Sequence, residues 1–384
     1  MRIRYNRVHY SLAPPFVGSI DLRAHNHGSH GLRPRMSAAL GFLLLTTVSS
    51  AGCSHTSIQD EGLQGRVLVQ GFVEGGFELA VLDFDSGSKT TLTNRQVISP
   101  TSFSYDSAHS RVVFSAPAED GEELFVISPE TEPWQVLTRG GNRFSDPRWS
   151  PDGQSIAFNT RTAEGRYEIL LMAADGTDTR QLPNEDVAAR DPLWSADGTL
   201  IAAFLSSAAP QNENDLTGIG IIEVASGEML SLATDPLDIT FSTPAWSPTD
   251  TRLAFSAKHG ESWDLFLLDA ASGEIESLAS TNANEWSGVW SPDGSRLAYV
   301  VSSPDNALQA NLVVLDLATS TRNVLLEGEP SISSMTWLDD TTLLLGVYDS
   351  AEAATVFYVL GPGEGRIIEQ GRWAGMYIDP VLLP

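Results

Sequence analysis

Five consecutive residues, Trp149-Ser150-Pro151-Asp152-Gly153, hold a hydroxyl, a carboxylate and a glycine turn in one short stretch. A serine becomes a nucleophile when a neighbouring base takes its proton, so a Ser/Asp pair repeated along a chain raises the question of a repeated active site. The stretch returns at Trp290–Gly294 and in altered form at Trp194 (WSADG) and Trp246 (WSPTD). No general base recurs beside it. Four of the seven histidines (9, 25, 27 and 30) precede residue 53, leaving His55, His109 and His259 in separate segments. Neither a Ser-His-Asp triad nor a His-rich metal site is expected from this set, and no G-x-S-x-G elbow is present. The stretch reads instead as a turn: Pro presets φ, Asp accepts from nearby backbone amides, and Gly takes positive φ. The expectation is no catalytic residue, no resident metal, and a chain that is not an enzyme.

The elements that carry these turns repeat. Anchors at Phe103, Trp149, Trp194, Trp246, Trp290 and Trp337 are spaced by 46, 45, 52, 44 and 47 residues. After each comes a turn and a β-rich run (RVVFSA, SIAFNT, LIAAFL, RLAFSA, RLAYVV, TLLLGVY), then a second run such as DLFLLDAASG. Short strands at this spacing, separated by Gly, Asp and Ser turns, indicate four-stranded units repeated radially. Residues 65–96 contain three strands without an anchor strand, and Asp379-Pro380-Val381-Leu382 supplies one 45 residues after Trp337. The sequence therefore predicts an all-β, seven-bladed β-propeller of four-stranded antiparallel blades. The C-terminal strand completes the first blade; six blades is the alternative. Each anchor is expected to wedge between neighbouring blades.

The repeat resembles the pattern xPxWSPDGxxIAF…DIYxxDxxxG of the TolB-like β-propellers, which is also similar to that of the prolyl oligopeptidase propeller. The resemblance covers residues 65–384 and is specific for fold and weak for function. It departs from the bacterial Tol protein, which has six such blades and an additional N-terminal domain.

The repeat also supplies coordinates for a site. The connection entering each innermost strand lies at the channel mouth, opposite the PDG turns. Three residues before the successive anchors stand Pro100, Asp146, Asp191, Thr243, Ser287, Ser334 and Asp379. Radial symmetry gathers them into a polar ring, bordered by Phe144, Arg148, Arg190, Phe241, Glu285, Trp286, Trp373 and Tyr377. Insertions at 206–218 and 302–310 overhang the same face. Polar groups framed by aromatics suit a ligand mouth. The competing reading is that Asp-Pro and Ser/Thr shape the loops entering the strands. A channel cation is the one cofactor this ring suggests; otherwise none is expected.

Composition narrows the partners. The chain of 384 residues has a formal charge of -26, and residues 1–52 carry six Arg against Asp21 alone. Without them, 17 basic residues face 48 acidic ones, a net of -31. Such a chain is repelled by phosphate backbones, so nucleic acid is excluded as a partner. The single cysteine, Cys53, ends the apolar run 38–45 and the small residues Ser50-Ala51-Gly52. That run is too short to span a bilayer, which takes about 20 residues. Arg33 and Arg35 precede it, as in a secretory signal. Ser50-Ala51-Gly52-Cys53 resembles a bacterial lipobox, with Ser50 where the family has an aliphatic residue. The resemblance implies removal of residues 1–52, lipidation of Cys53, and a tether over 53–64. Ser54 after the cysteine points to the outer membrane.

These readings converge on a monomeric, lipid-anchored envelope propeller that binds a protein, peptide or glycan at its mouth face without chemistry of its own. The alternatives are a polysaccharide lyase or hydrolase with a carboxylate site at the mouth, and a structural spacer.

Overall fold

A computed structural model describes residues 65–383 apart from short internal stretches, the longest of them 94–100, 207–215 and 235–243. Residues 1–64, and with them Cys53, lie outside the described residues. The strands form seven four-stranded antiparallel sheets, each assembled from consecutive strands except the first. In that blade the innermost strand is Met376–Leu383, paired antiparallel with Arg66–Val73. The register runs from Arg66 opposite Leu383 to Phe72 opposite Met376. The first and last described strands thus complete one sheet, as the sequence predicts, and the ring closes by backbone hydrogen bonds.

The second and third strands of each blade are buried on both faces, which explains their nearly continuous apolar runs. Leu200–Ser206 is buried at every position, and Arg252–His259 over five consecutive residues. The outermost strands are more open: Ser88–Thr91 is exposed throughout, and Ile275–Ala279 is exposed over its first three residues. Among the described residues the core is not one body but eight clusters: one at each of the seven seams between blades, and a smaller one around Trp286, Val300 and Ala310. Trp373, expected at the mouth, is buried at the seam between blades 7 and 1, against Val67, Leu82 and Phe357.

The anchors hold these seams. Trp194, Trp246, Trp290 and Trp337 each donate their indole N–H to a carbonyl of the preceding blade: Arg148, Leu193, Ala245 and Val289, at 2.9–3.1 Å. Every acceptor after the first is the residue just before the previous anchor tryptophan, and Arg148 precedes Trp149 in the same way. Trp149 is the exception. Its ring is buried and covered by the Arg111 guanidinium at 4.4 Å, but its Nε1 has no acceptor. The register of blade 2 also departs from the sequence expectation. Trp149 stands opposite Ile156 and Trp290 opposite Leu297, and the equivalent position in blade 2 is Tyr105, opposite Val112. Phe103 lies two residues earlier, opposite Phe114, so the anchor predicted there is displaced by one turn of the pleat. It still packs in the seam between blades 1 and 2.

The repeated Ser-Pro-Asp-Gly stretch is a closed turn. The Ser150 hydroxyl donates to Asp152 Oδ1 at 2.6 Å and accepts the Ser155 N–H at 2.9 Å, while Gly153 takes φ 66°. Ser195 with Asp197, and Ser291 with Asp293, repeat the arrangement. All three serines are buried, so none is placed to attack a substrate. His109 and His259 lie on opposite faces, held by Asp106 at 2.8 Å and Asp264 at 3.4 Å.

Candidate functional site

Strand direction sets the two faces. Each inner strand runs from the mouth to the PDG turn, the second strand returns, and the hairpin to the third strand lies at the mouth. Asp146 and Asp191 therefore sit at the mouth end, as the spacing predicts, but inside their strands rather than in the loops before them. Register breaks between Ser145 and Arg148, and again between Arg190 and Leu193, mark a β-bulge at each Asp-Pro pair. Both aspartates adopt left-handed backbone, φ 51° and 56°. Asp tolerates that conformation better than most residues, and a bulge re-aims the side chain that carries it.

The two re-aimed carboxylates meet at one residue. Asn159, buried in Ser155–Arg161, donates its amide Nδ2 to Asp146 Oδ2 at 3.0 Å and to Asp191 Oδ1 at 3.1 Å. Its Oδ1 accepts the Asp191 backbone N–H at 2.9 Å. From the adjacent blade, the Ser102 hydroxyl accepts the Asp146 N–H at 3.1 Å. Arg190 Nη1 pairs with Asp191 Oδ2 at 3.2 Å, and its guanidinium lies over Tyr167 with that of Arg161. Arg148 Nη1 donates to the Phe103 carbonyl at 2.8 Å and faces Asp191 electrostatically.

Burial, and then the charge of Asp146, push the Asp191 carboxyl up to about 6 against the pull of Arg190 and Asn159. Its side chain nevertheless keeps 30% of its surface open. Asp191 is therefore half-buried and reached by solvent at the mouth end of its strand. Glu122 joins this side of the mouth at the start of Gly121–Ser128. Burial raises its pKa, Asp146 adds to the shift, and the Thr101 hydroxyl bonded to it works the other way. The arrangement offers a cationic or N–H-rich ligand several acceptors, and it places a carboxyl able to exchange a proton near neutral pH beside a second carboxylate.

The remaining predicted ring residues do not join this cluster in one uniform way. Glu285 is buried at the seam of blades 5 and 6; Thr281 Oγ1 donates to its Oε1 at 2.8 Å, and its Oε2 has no partner. Burial raises its pKa. Trp286 and Phe144, expected as mouth walls, are interior packing residues. Trp286 lies with Val300 and Ala310, and Phe144 edge-on to Phe158 at 5.7 Å. Ser334 is half-buried, its Oγ without a partner. Ser287 lies in the bulge between Trp286 and Val289, Tyr377 pairs with Gly71, and Asp379 lies at the register break of its strand. Phe241, Thr243 and Pro100 lie outside the described residues, as does most of the 206–218 insertion. The 302–310 insertion is no overhanging loop: strands Arg296–Ser303 and Asn306–Asp316 extend through it, with Ser303 opposite Asn306.

Sequence reasoning missed Asn159 and Glu122. A trace of the first was present, because SIAFNT places an amide, poorly suited to a strand, where the equivalent run RLAFSA has Ser. Glu122 carried no such signal. Among the described residues no group of three or more His, Cys, Asp and Glu side chains is arranged to hold a metal ion, and no helix is long and apolar enough to cross a membrane.

No family model matches the chain. It is similar to an uncharacterized peptidase, YuxL, of Bacillus subtilis, at 27% identity over 50% of this chain and 25% of the relative. A TolB homolog of Chlorobium chlorochromatii is 31% identical over 38% of this chain and 31% of its own length. Dipeptidyl-peptidase 5 of Porphyromonas endodontalis is 25% identical over 56% and 32%. The chain thus spans about a quarter to a third of the length of the relatives it matches. In fold it is similar to a puromycin hydrolase (TM-score 0.61, 18% identity, 83% of this chain and 53% of that one). It is also similar to oligogalacturonate lyase from Vibrio parahaemolyticus (TM-score 0.59, 15% identity, 80% and 86%). The TolB-like resemblance is supported by the sequence match. The expectation that the chain is not an enzyme is overturned: peptidases stand among its sequence relatives, which point to a possible enzymatic function.

Proposed function

We propose that this chain is a cell-envelope propeller that captures an extended peptide at the mouth of blades 3 and 4. Asp146, Asn159 and Asp191 form the polar centre, with Arg190 and Tyr167 beside it. One observation carries the reading: carboxylates from two blades, each on a left-handed bulge, share a single buried amide. A peptide presents N–H donors and cationic groups that such acceptors recognise. The peptidase relatives favour peptide over glycan. Lipidation at Cys53 places the protein on the envelope, with the outer membrane as its site.

A second reading gives the same pair acid–base chemistry on a polysaccharide. It is favoured by Asp191, whose proton is held to about 6 beside another carboxylate, the environment a general acid or base uses. Oligogalacturonate lyase supplies the polymer class to try first.

Crosslinking and capture from intact envelopes, comparing wild type with Asp191→Asn and Asn159→Ala, tests the first reading. Peptide-bearing partners should be lost in both variants; equal capture would remove the site from this face. Turnover of polygalacturonate by the purified protein, abolished in Asp191→Asn, would establish the second reading instead.

A further inference from the structure

The side of blade 3 that carries Asn159 continues toward the mouth. Alternation along Ser155–Arg161 puts Ala157, Asn159 and Arg161 on one side of the sheet, with Leu171, Ile169 and Tyr167 paired opposite them. Ala157, Ile169 and Leu171 pack in the seam with blade 4. Arg161 and Tyr167 therefore close that seam at its mouth end, one pleat beyond Asn159. From blade 4, Arg190 reaches the same ring. The Arg161 guanidinium lies 5.1 Å from the Tyr167 ring centroid and the Arg190 guanidinium 5.6 Å.

The two cations are held differently. Arg190 pairs with Asp191, Nη1 to Oδ2 at 3.2 Å. Arg161 donates its Nε to the Gly165 carbonyl at 3.0 Å, across its own hairpin, while the Tyr167 ring lies under its guanidinium. Among the described residues no carboxylate pairs with Arg161, and its Nη1 and Nη2 meet no acceptor. In a chain so rich in carboxylates, that is a departure from what composition leads one to expect. The side chain is half-buried, so the edge that carries these two nitrogens is still reached by solvent. Ring and carbonyl together fix the plane of the guanidinium before any ligand arrives. A planar fork of N–H donors fixed in this way matches the two oxygens of a carboxylate.

We infer that Arg161 is a specificity residue of the mouth at blades 3 and 4, taking a carboxylate of the peptide whose N–H groups meet Asp146 and Asp191. The inference rests on the peptide reading of the proposed function and adds to it the charge that the peptide must carry. Tyr167 and the Gly165 carbonyl hold the fork in place, and Arg190 adds positive field beside it. Asn159 and Arg161 are two residues apart on one strand, so the acceptors of the aspartate pair and the donors of Arg161 are separated by about 7 Å. A peptide offers an N–H and a carboxylate at that spacing from either of two sources, its free C-terminus or an Asp or Glu side chain.

The test uses the full chain and fluorescent pools of random octapeptides, with binding read by anisotropy. One pool is amidated and free of Asp and Glu, a second is amidated with a single Asp or Glu, and a third is acid-free with a C-terminal carboxylate. A carboxylate-bearing pool should bind about tenfold tighter than the neutral one, and added salt should narrow the gap. The pool that shows the gap identifies the source of the carboxylate. Arg161→Gln should close the gap, and Arg161→Lys, which keeps the charge but not the fork, should keep only part of it. Should the Gln variant fail to fold, the Lys variant carries the test, and an undiminished preference in it would overturn the fork. A neutral pool that binds as tightly as the others, or a preference that survives in folded Arg161→Gln, would overturn the role of Arg161 and leave the peptide reading standing. Binding by none of the pools would overturn the peptide reading and this inference with it.

Discussion

Asn159 grips Asp191 from both ends of its amide, donating to the carboxylate at 3.1 Å while accepting the backbone N–H at 2.9 Å. The same Nδ2 donates to Asp146, so one buried side chain fixes the conformation of one aspartate and the spacing of two. Neither carboxylate needs this to complete a turn. Asp152 and Asp293 are satisfied within a few residues of themselves, whereas the Asp191 carboxylate, besides pairing with the adjacent Arg190, accepts from a residue 32 positions away in the neighbouring blade.

Asn159→Ala removes three hydrogen bonds and leaves a left-handed backbone and two facing carboxylates without their common donor. The expected loss of stability is about 2–4 kcal/mol, larger than for a surface substitution, read as a fall in Tm by calorimetry. Full retention of stability would mean that the bulges hold their conformation without the amide.

The pH profile has two opposite arms. Asp191, Glu122 and Glu285 have raised folded pKa values, so their contribution is fully present below the unfolded values near 4 and is lost as pH rises through the folded ones, about 6 for Asp191. The turn aspartates have lowered values, about 2 for Asp293, so their contribution is present above about 4 and is lost as pH falls toward 2. Stability should therefore decline from about pH 4 to pH 6. Asp191→Asn should flatten that upper arm and leave the acid arm unchanged, as measured by urea unfolding across the range. An unchanged upper arm would place the raised proton on another residue.

The anchor tryptophans are not equivalent. Trp290→Phe deletes the bond to the Ala245 carbonyl and should cost about 1 kcal/mol beyond the lost ring area. Trp149→Phe deletes an indole N–H that has no acceptor and should cost less, because the Arg111 contact can persist on the smaller ring. Paired Tm measurements decide this; equal costs would show that the carbonyl bonds add nothing to the seams.

The repeat was legible because it is local chemistry copied along the chain. A tryptophan, a Ser-Asp turn and two apolar runs recur at a period near 45, and each copy must bury the same faces against its neighbours. Strand count, ring closure through Leu382 opposite Val67 and the structural role of Ser150 follow from that periodicity alone. The period also placed Asp146 and Asp191 at the mouth. Tertiary structure decided what the period could not. It moved the blade 2 anchor from Phe103 to Tyr105, because register is set by strand pairing and two aromatics one pleat apart look alike in sequence. It turned Phe144 and Trp286 inward, because side-chain direction depends on bulges that the letters do not mark. And it joined Asp146 to Asp191 through Asn159, a contact across 32 residues and two blades, because only the folded ring brings those strand ends within hydrogen-bond reach.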